Sequence, residues 1–290
     1  MPELSEVETV VRGLNKFLVG HRILSFKFDW PKTLKTPIEI IQKEVIGSTV
    51  LGARRRAKLV IIDLSSGYSL LIHLKMTGQV VYRSPKVNYG AGHPNDSLVS
   101  KLPDSTTRIE MELDGQADLF FNDQRKFGWV ELVPTAEHHL HTFISSLGPE
   151  PLEIGAKDFI EALRRYPGGQ IKAKLLDQSV LAGVGNIYAD ESLWATKIHP
   201  KTKIGSLGDE KLEELFIALV DVLRLSISLG GSSSKNYVKV DGRVGLYLTF
   251  ANAYKREGQP CKRCGTELIR IVAAGRGTRI CPKCQKLPLS

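Results

Sequence analysis

A proline at position 2 is followed by three acids in the run Met1-Pro2-Glu3-Leu4-Ser5-Glu6-Val7-Glu8-Thr9. Removal of Met1 would leave a free secondary amine within a few atoms of carboxylates. In its neutral form such an amine attacks an electrophilic sugar carbon and gives an iminium, a Schiff-base strategy otherwise associated with lysine. Glu3 and Glu6 favour the protonated amine, whereas the positive end of a following helix disfavours it, so the sign of the net shift stays open. Read alone, the same residues are better explained as the Pro-containing start of an ordinary helix.

The second chemical pattern closes the chain. All four cysteines stand as Cys261-x2-Cys264 and Cys281-x2-Cys284, with sixteen residues between the pairs. Four soft thiolates at this spacing suit one tetrahedral structural Zn²⁺ held by a two-stranded ribbon. Thr266 to Val272 and Gly275 to Ile280 are the expected strands, with an exposed turn at Ala274-Gly275-Arg276-Gly277. Disulfides are the competing use of these thiols. The first twenty residues carry acids where a secretory signal has a basic start and an apolar core, which argues for a reducing compartment.

The elements that must position these groups follow from composition and periodicity. The chain has 290 residues, 42% hydrophobic and 24% charged, enough for one large or two moderate domains. A net charge of +9 favours a polyanionic partner. No apolar run approaches the roughly 20 residues of a membrane span, so a soluble, cytoplasmic protein is expected. Ser5 and Glu8 fit a capping box, and Val7, Val10, Val11, Leu14 and Leu18 form one helical stripe that Gly13 weakens by about 1 kcal/mol. Leu59 to Leu64, Ser69 to Leu74, Gln79 to Tyr82, Arg108 to Leu113, Ala117 to Asn122 and Gly128 to Val133 read as strands of a two-layer sandwich. The Gly-, Pro-, Asn- and Ser-rich stretch from Ser84 to Thr107 reads as a long surface loop. Helices are predicted at Lys157 to Arg165, Ile171 to Gln178, Asn186 to Ala195 and Asp209 to Leu229. The turn Gly183-Val184-Gly185-Asn186 runs into a helix N-terminus, where backbone amides can hold a phosphate or simply join two helices.

Taken together, the terminus, His73-Leu74-Lys75-Met76-Thr77-Gly78, Asp123-Gln124-Arg125-Lys126-Phe127-Gly128, Gly183-Val184-Gly185-Asn186-Ile187-Tyr188-Ala189 and the cysteine segment resemble, in order and nearly end to end, the formamidopyrimidine-DNA glycosylase family. The resemblance implies an α+β fold: an N-terminal two-layer β-sandwich with an N-terminal helix, then a helix-two-turn-helix bundle and a zinc-ribbon finger. It implies a catalytic sandwich domain at 1–135, a linker at 136–150, a helical domain with a lesion-covering loop at 151–250 and a zinc finger at 251–290. The activity implied is excision of oxidised purines from double-stranded DNA, with cleavage at abasic sites, by a monomer in the cytoplasm associated with the nucleoid.

Residue by residue, the same resemblance makes Pro2 the nucleophile, Glu3 its acid/base partner, Glu6 a supporting carboxylate and Lys58 a lysine reaching a phosphate beside the lesion. His73 aligns with a further phosphate contact. Met76, Arg125 and Phe127 align with side chains that fill the void left by an extruded base. Asn186 and Arg276 align with phosphate clamps, and Lys235 and Tyr254 are weaker matches. Without the resemblance, Arg54 to Lys58 is a solvated basic face, and Met76 and Phe127 are core residues. The chain departs from the family pattern at Ser5, where proline is usual, at Lys75, where glycine is frequent, and at Lys126, where arginine is common. A lysine cluster is missing before Ile171-Lys172, and the long 84–107 loop is not followed by the usual histidines. A DNA-binding relative without catalysis and a same-fold enzyme preferring oxidised pyrimidines are the competing functions.

Overall fold

The computed structural model describes residues 2–93, 95–231 and 246–288. The chain splits into two compact units, Met1–Ser145 with Leu229–Leu246, and Ser146–Ser228 with Tyr247–Ser290.

The first unit opens with α1 (Leu4–Phe17), β1 (Ile23–Phe28), α2 (Ile38–Val45), β2 (Val50–Arg56), β3 (Leu59–Leu64) and β4 (Tyr68–His73). It continues with β5 (Gly78–Arg83), β6 (Asn88–Gly92), β7 (Thr107–Leu113), β8 (Ala117–Asp123), β9 (Trp129–Pro134) and α3 (Thr142–Ser145). A five-stranded sheet in the order β1-β7-β8-β5-β6 and a four-stranded sheet in the order β2-β3-β4-β9 form the expected sandwich. Its core takes Val60, Ile62, Leu70 and Ile72 from one sheet and Ile109, Met111, Leu119 and Phe121 from the other. The outer face of β3 and β4 is buried too, because Leu59, Ile61 and Leu71 pack with Trp129 and with Ile144 of α3.

Helix α1 lies along the flank where edge strands β2 and β6 end their sheets, and it touches both. Leu4, Val7, Val10, Val11 and Leu14 are buried there, each worth about 1.5–3 kcal/mol of apolar transfer. The helix starts two residues earlier than the Ser5/Glu8 box predicts. Glu3 is the N-cap, its backbone N–H donates to Glu6 Oε2 at 2.8 Å, and the two residues form a reciprocal capping box. Ser5 is fully buried inside the first turn, and Glu8 faces Arg12 and Arg55 at 3.0 and 3.1 Å. The basic side chains on its flank draw Glu8 away from the cap.

The 84–107 stretch is not the surface loop expected. It contains β6, which pairs with β5, and it buries Tyr89, Ala91 and Leu98. Its glycines serve close packing: a Cβ at Gly90 would stand 2.9 Å from Leu98 Cδ2, and one at Gly92 would stand 2.4 Å from Gly78 O.

The second unit holds α4 (Ala156–Arg164), α5 (Ile171–Leu176), α6 (Asn186–Ala195), α7 (Asp209–Ser228), α8 (Tyr247–Phe250), β10 (Ile269–Ala273) and β11 (Arg276–Ile280). Phe159, Leu163, Tyr188, Leu193, Leu212, Leu215 and Leu219 are buried in it. α5 stops at Leu176, short of the predicted Gln178, because Asp177 leaves helical geometry at ψ 107 and caps Ser179 N–H at 3.1 Å. β10 and β11 form the ribbon, joined by Ala274 and Gly275, whose positive φ values of 51° and 66° suit a tight hairpin.

Gly13, a weak point for the helix in sequence, has a steric reason. An added Cβ would meet the Tyr89 ring at 2.0 Å, and Tyr89 is anchored by donating its hydroxyl to Thr9 O at 2.7 Å. Gly13→Ala therefore gains about 1 kcal/mol of helix propensity and loses more through overpacking, which costs roughly 1–3 kcal/mol. The expected outcome is a lower urea midpoint than wild type, followed by circular dichroism.

Candidate active site and nucleic-acid interface

One end of the sandwich gathers most of the chemistry predicted for the first unit. β2 ends at Arg56, and the turn residues Ala57 and Lys58 lead into β3. Leu59 pairs with His73 at the end of β4, and His73 pairs with Trp129 at the start of β9. In the other sheet Gly78, which opens β5, pairs with Asp123, which closes β8. The N-terminal half of α1 reaches the same end, since Glu8 accepts from Arg55 Nε while Arg55 also donates to Ala57 O at 3.0 Å. Burial alone would raise the Glu8 carboxyl, but hydrogen bonds from Arg12 and Arg55 outweigh it and hold the group below its ordinary value.

Pro2 is buried and immediately precedes the N-cap. Glu3 and Glu6 are also buried, and Gly231 lies against Glu6, so close that a Cβ there would stand 3.0 Å from Glu6 Oε1. Lys58 is buried at the β2–β3 turn, where Ala57 adopts a φ of 51°.

His73 is held on three sides. Its ring lies 5.6 Å from Trp129 and 5.3 Å from Phe143 between centroids, and its Nδ1 sits 3.0 Å from the Lys75 backbone nitrogen. A backbone N–H can only donate, so Nδ1 accepts and the neutral ring carries its proton on Nε2. Burial, reinforced by the charges of Lys75, Lys58 and Lys35, pushes the imidazole down to about 3. Lys75 makes that contact from a φ of 47°, a conformation glycine adopts without cost and lysine does not. Burial and the nearby Lys35 lower Lys75 itself.

Met76 is half-buried between β4 and β5. Arg125 and Phe127 project from the 124–128 loop; Phe127 is 53% exposed, so it is not a core residue. The Arg125 guanidinium lies over the Phe127 ring at 4.8 Å. Beneath them Asp123 is fully buried, a residue to which the sequence reading assigned no role. An acid closing a strand just before an exposed Arg-Lys-Phe-Gly turn was the signal available for it.

In the second unit Asn186 opens α6 and donates from Nδ2 to Gly277 O of β11 at 3.1 Å. That bond sets Asn186 beside Arg276, which is exposed at the hairpin. Beneath them Lys172 is fully buried and donates to Asp190 Oδ1 and Thr278 Oγ1, both at 2.5 Å. Burial raises Asp190, and the Lys172 charge opposes that rise. Glu191 accepts the backbone N–H groups of Asn252, Ala253 and Tyr254 at 2.7 to 2.8 Å, which fixes the segment carrying Tyr254. The Arg279 guanidinium lies 5.4 Å from the Tyr254 ring centroid. Neither Lys172, Asp190 nor Glu191 was singled out by sequence. Lys235 lies outside the described residues.

Cys261, Cys264, Cys281 and Cys284 form no disulfide, and their four Sγ atoms lie within 4.8 Å of one another. Zn–S bonds of about 2.3 Å in a tetrahedron require S···S separations of this order, so the donor set fits one structural zinc. Cys261 and Cys281 pack with Trp194, Ala253 and Leu268, a core too small to hold the ribbon without metal.

A family model described as the formamidopyrimidine-DNA glycosylase N-terminal domain matches residues 1–130. The formamidopyrimidine-DNA glycosylase H2TH domain matches 147–238, and a zinc finger found in FPG and IleRS matches 258–287. The formamidopyrimidine-DNA glycosylase of Herpetosiphon aurantiacus is 41% identical over 98% of this chain and 100% of its own length. That of Pediococcus pentosaceus is 38% identical over 99% of this chain and 100% of its own. A solved complex between the Lactococcus lactis Fpg and DNA containing an abasic site superimposes with a TM-score of 0.87 at 33% identity, covering 98% of this chain and 100% of that one. A structure of MutM with DNA containing carbocyclic 8-oxo-G gives 0.85 at 33% identity and the same coverage.

Two outcomes follow from the geometry. The purified chain should carry close to one zinc per molecule by atomic absorption, and chelation should unfold the ribbon and weaken DNA binding; unchanged affinity in a metal-free chain would show that the ribbon does not need the metal to bind DNA. For His73 the folded pKa lies below its unfolded value, so the unfolded chain binds the extra proton. The associated stability is complete above the ordinary histidine value of about 6.5 and is lost as pH falls toward the folded pKa. His73→Gln should therefore flatten the acid limb of the stability–pH curve over that window, measured by urea titration; an unchanged limb would show that the ring is not held neutral.

Proposed function

This chain belongs to the formamidopyrimidine-DNA glycosylase family, and from that premise we propose that it excises oxidised purines, 8-oxoguanine opposite cytosine and ring-opened formamidopyrimidines, and then cuts the strand as an AP lyase. The observation carrying this reading is the convergence at one sandwich end of the buried α1 terminus, with Glu3 and Glu6, on Lys58, His73 and the Met76 and Arg125–Phe127 loops.

In the proposed reaction Met1 is removed and Pro2 nitrogen attacks the sugar C1′ as the damaged base departs with the glycosidic electrons. Glu3 donates a proton to the ring oxygen as the sugar opens, and loss of the nitrogen's proton leaves a C1′ iminium. The iminium acidifies C2′–H. Removal of that proton expels the 3′ phosphate by β-elimination, a second elimination expels the 5′ phosphate, and hydrolysis frees the amine. Glu6, bonded to the Glu3 backbone, keeps Glu3 at the chain end.

Lys58 holds a phosphate beside the lesion by charge, and His73 donates a neutral Nε2–H to another. Extruding a base costs a few kcal/mol; Met76 and Phe127 offset it by filling the stack, and Arg125 pairs with the orphaned cytosine. Asn186, Arg276 and Tyr254 grip the backbone, and Lys235 is proposed to join them. The zinc holds the ribbon hairpin that presents Arg276. The protein works as a monomer on double-stranded DNA, in the cytoplasm at the nucleoid. Among the described residues no helix is long and apolar enough to cross a membrane.

Borohydride trapping on a duplex carrying 8-oxoguanine tests the proposal. A covalent protein–DNA adduct and a cut strand are expected, and both should vanish in Pro2→Gly and in a chain whose Pro2 is masked by an uncleaved extension. Tight binding with neither adduct nor cut would identify a non-catalytic binder. Faster release of thymine glycol than of 8-oxoguanine would move the substrate to oxidised pyrimidines.

A further inference from the structure

Asp123 closes β8 with a fully buried carboxylate, and no Lys, Arg or His among the described residues pairs with it as a salt bridge. A buried anion without such a partner is tolerated only when hydrogen bonds satisfy it. All of its donors come from the two turns that carry the void-filling side chains. Thr77 donates its hydroxyl to Asp123 Oδ1. The Arg125 backbone N–H is shared between Thr77 Oγ1 at 3.0 Å and Asp123 Oδ1 at 3.2 Å. Gly128 N–H donates to Asp123 Oδ2 at 2.6 Å.

The surrounding backbone is shaped for this arrangement. Lys126 takes a φ of 57° between the two donors of its loop. A Cβ at Gly128 would meet Phe121 Cζ at 2.6 Å, Asp123 Oδ2 at 3.1 Å and His73 O at 3.1 Å, so only glycine brings its N–H to the carboxylate. Arg108, itself buried, donates from Nε to Asp123 O at 3.0 Å and holds the strand end from below.

We propose that Asp123 is a positioning residue for opposite-base reading. Its carboxylate clips the 76–78 turn to the 124–128 loop, so that Met76 enters the stack at a fixed distance from the Arg125–Phe127 pair. The inference rests on the repair reading above and deepens it: the guanidinium that discriminates cytosine is placed by an acid that never touches DNA. Thr77 is the bridge, because one hydroxyl donates to the acid and accepts from the backbone of Arg125.

The test compares Asp123→Asn, Thr77→Val and Thr77→Ser in the full-length holoprotein. Single-turnover excision of 8-oxoguanine is measured opposite cytosine and opposite adenine, with nicking of a preformed abasic duplex as the control for chemistry. Losing one charge-assisted hydrogen bond should lower the cytosine-over-adenine ratio roughly tenfold in Asp123→Asn and Thr77→Val. Thr77→Ser should restore the ratio, and abasic nicking should persist throughout. Should Asp123→Asn fail to fold, as near-ultraviolet circular dichroism would reveal, the Thr77 pair decides alone. A ratio unchanged in Thr77→Val, with nicking intact, would overturn the clip and leave the repair function standing. A wild-type chain that neither excises the lesion nor nicks abasic DNA would overturn both.

Discussion

The burial of one helix stripe fixes where chemistry can happen in this molecule. The nucleophile proposed for the chain terminus would lie where polypeptides ordinarily fray. Here the terminus is the first turn of α1, and Leu4, Val7, Val10, Val11 and Leu14 cannot leave the sandwich flank without exposing a continuous apolar strip. The polar edge of the helix adds direction. Glu8 is gripped by Arg12 and Arg55, Thr9 O accepts the Tyr89 hydroxyl, and the Glu3–Glu6 box ends the backbone at a defined angle. Hydrophobic burial supplies most of the energy, and these few directional bonds supply the register.

The same flank also protects two of the sandwich's strand edges. β2 and β6 are edge strands of different sheets, and α1 packs on both, so the helix that begins the chain also covers edges that would otherwise invite pairing with another chain. Gly13 is the point where this dual role is tightest, since the helix backbone meets the Tyr89 ring there. A glycine that weakens the helix locally permits the contact that orients it.

Signals carried by side-chain type and short spacing were legible in the sequence. The paired cysteines converge as their spacing required, the α1 stripe is buried at the positions its periodicity marked, and β3, β4, β7 and β8 lie within a residue or two of the runs read as strands. Features decided by distant neighbours were not legible. β6 looked like a loop because its glycines answer to Leu98 and Gly78 rather than to any local preference. The helix cap moved to Glu3 because Arg55, far along the chain, claims Glu8. The partners of Asp123 were hidden because Thr77, whose hydroxyl it accepts, lies 46 residues away.

The second unit adds a buried ion pair to its apolar packing. Lys172, Asp190 and Thr278 are each nearly or wholly buried, and together they join α5, α6 and β11. Such a pair adds little net stability, because desolvation offsets most of its Coulomb attraction. It does penalise every alternative docking, since any slip of the ribbon would strand a buried ion. Asn186 then needs only its bond to Gly277 O to stand beside Arg276. Zinc fixes the ribbon internally and the buried ions fix where it sits on α6, so the hairpin arginine is placed by two constraints that are independent in origin and share only β11.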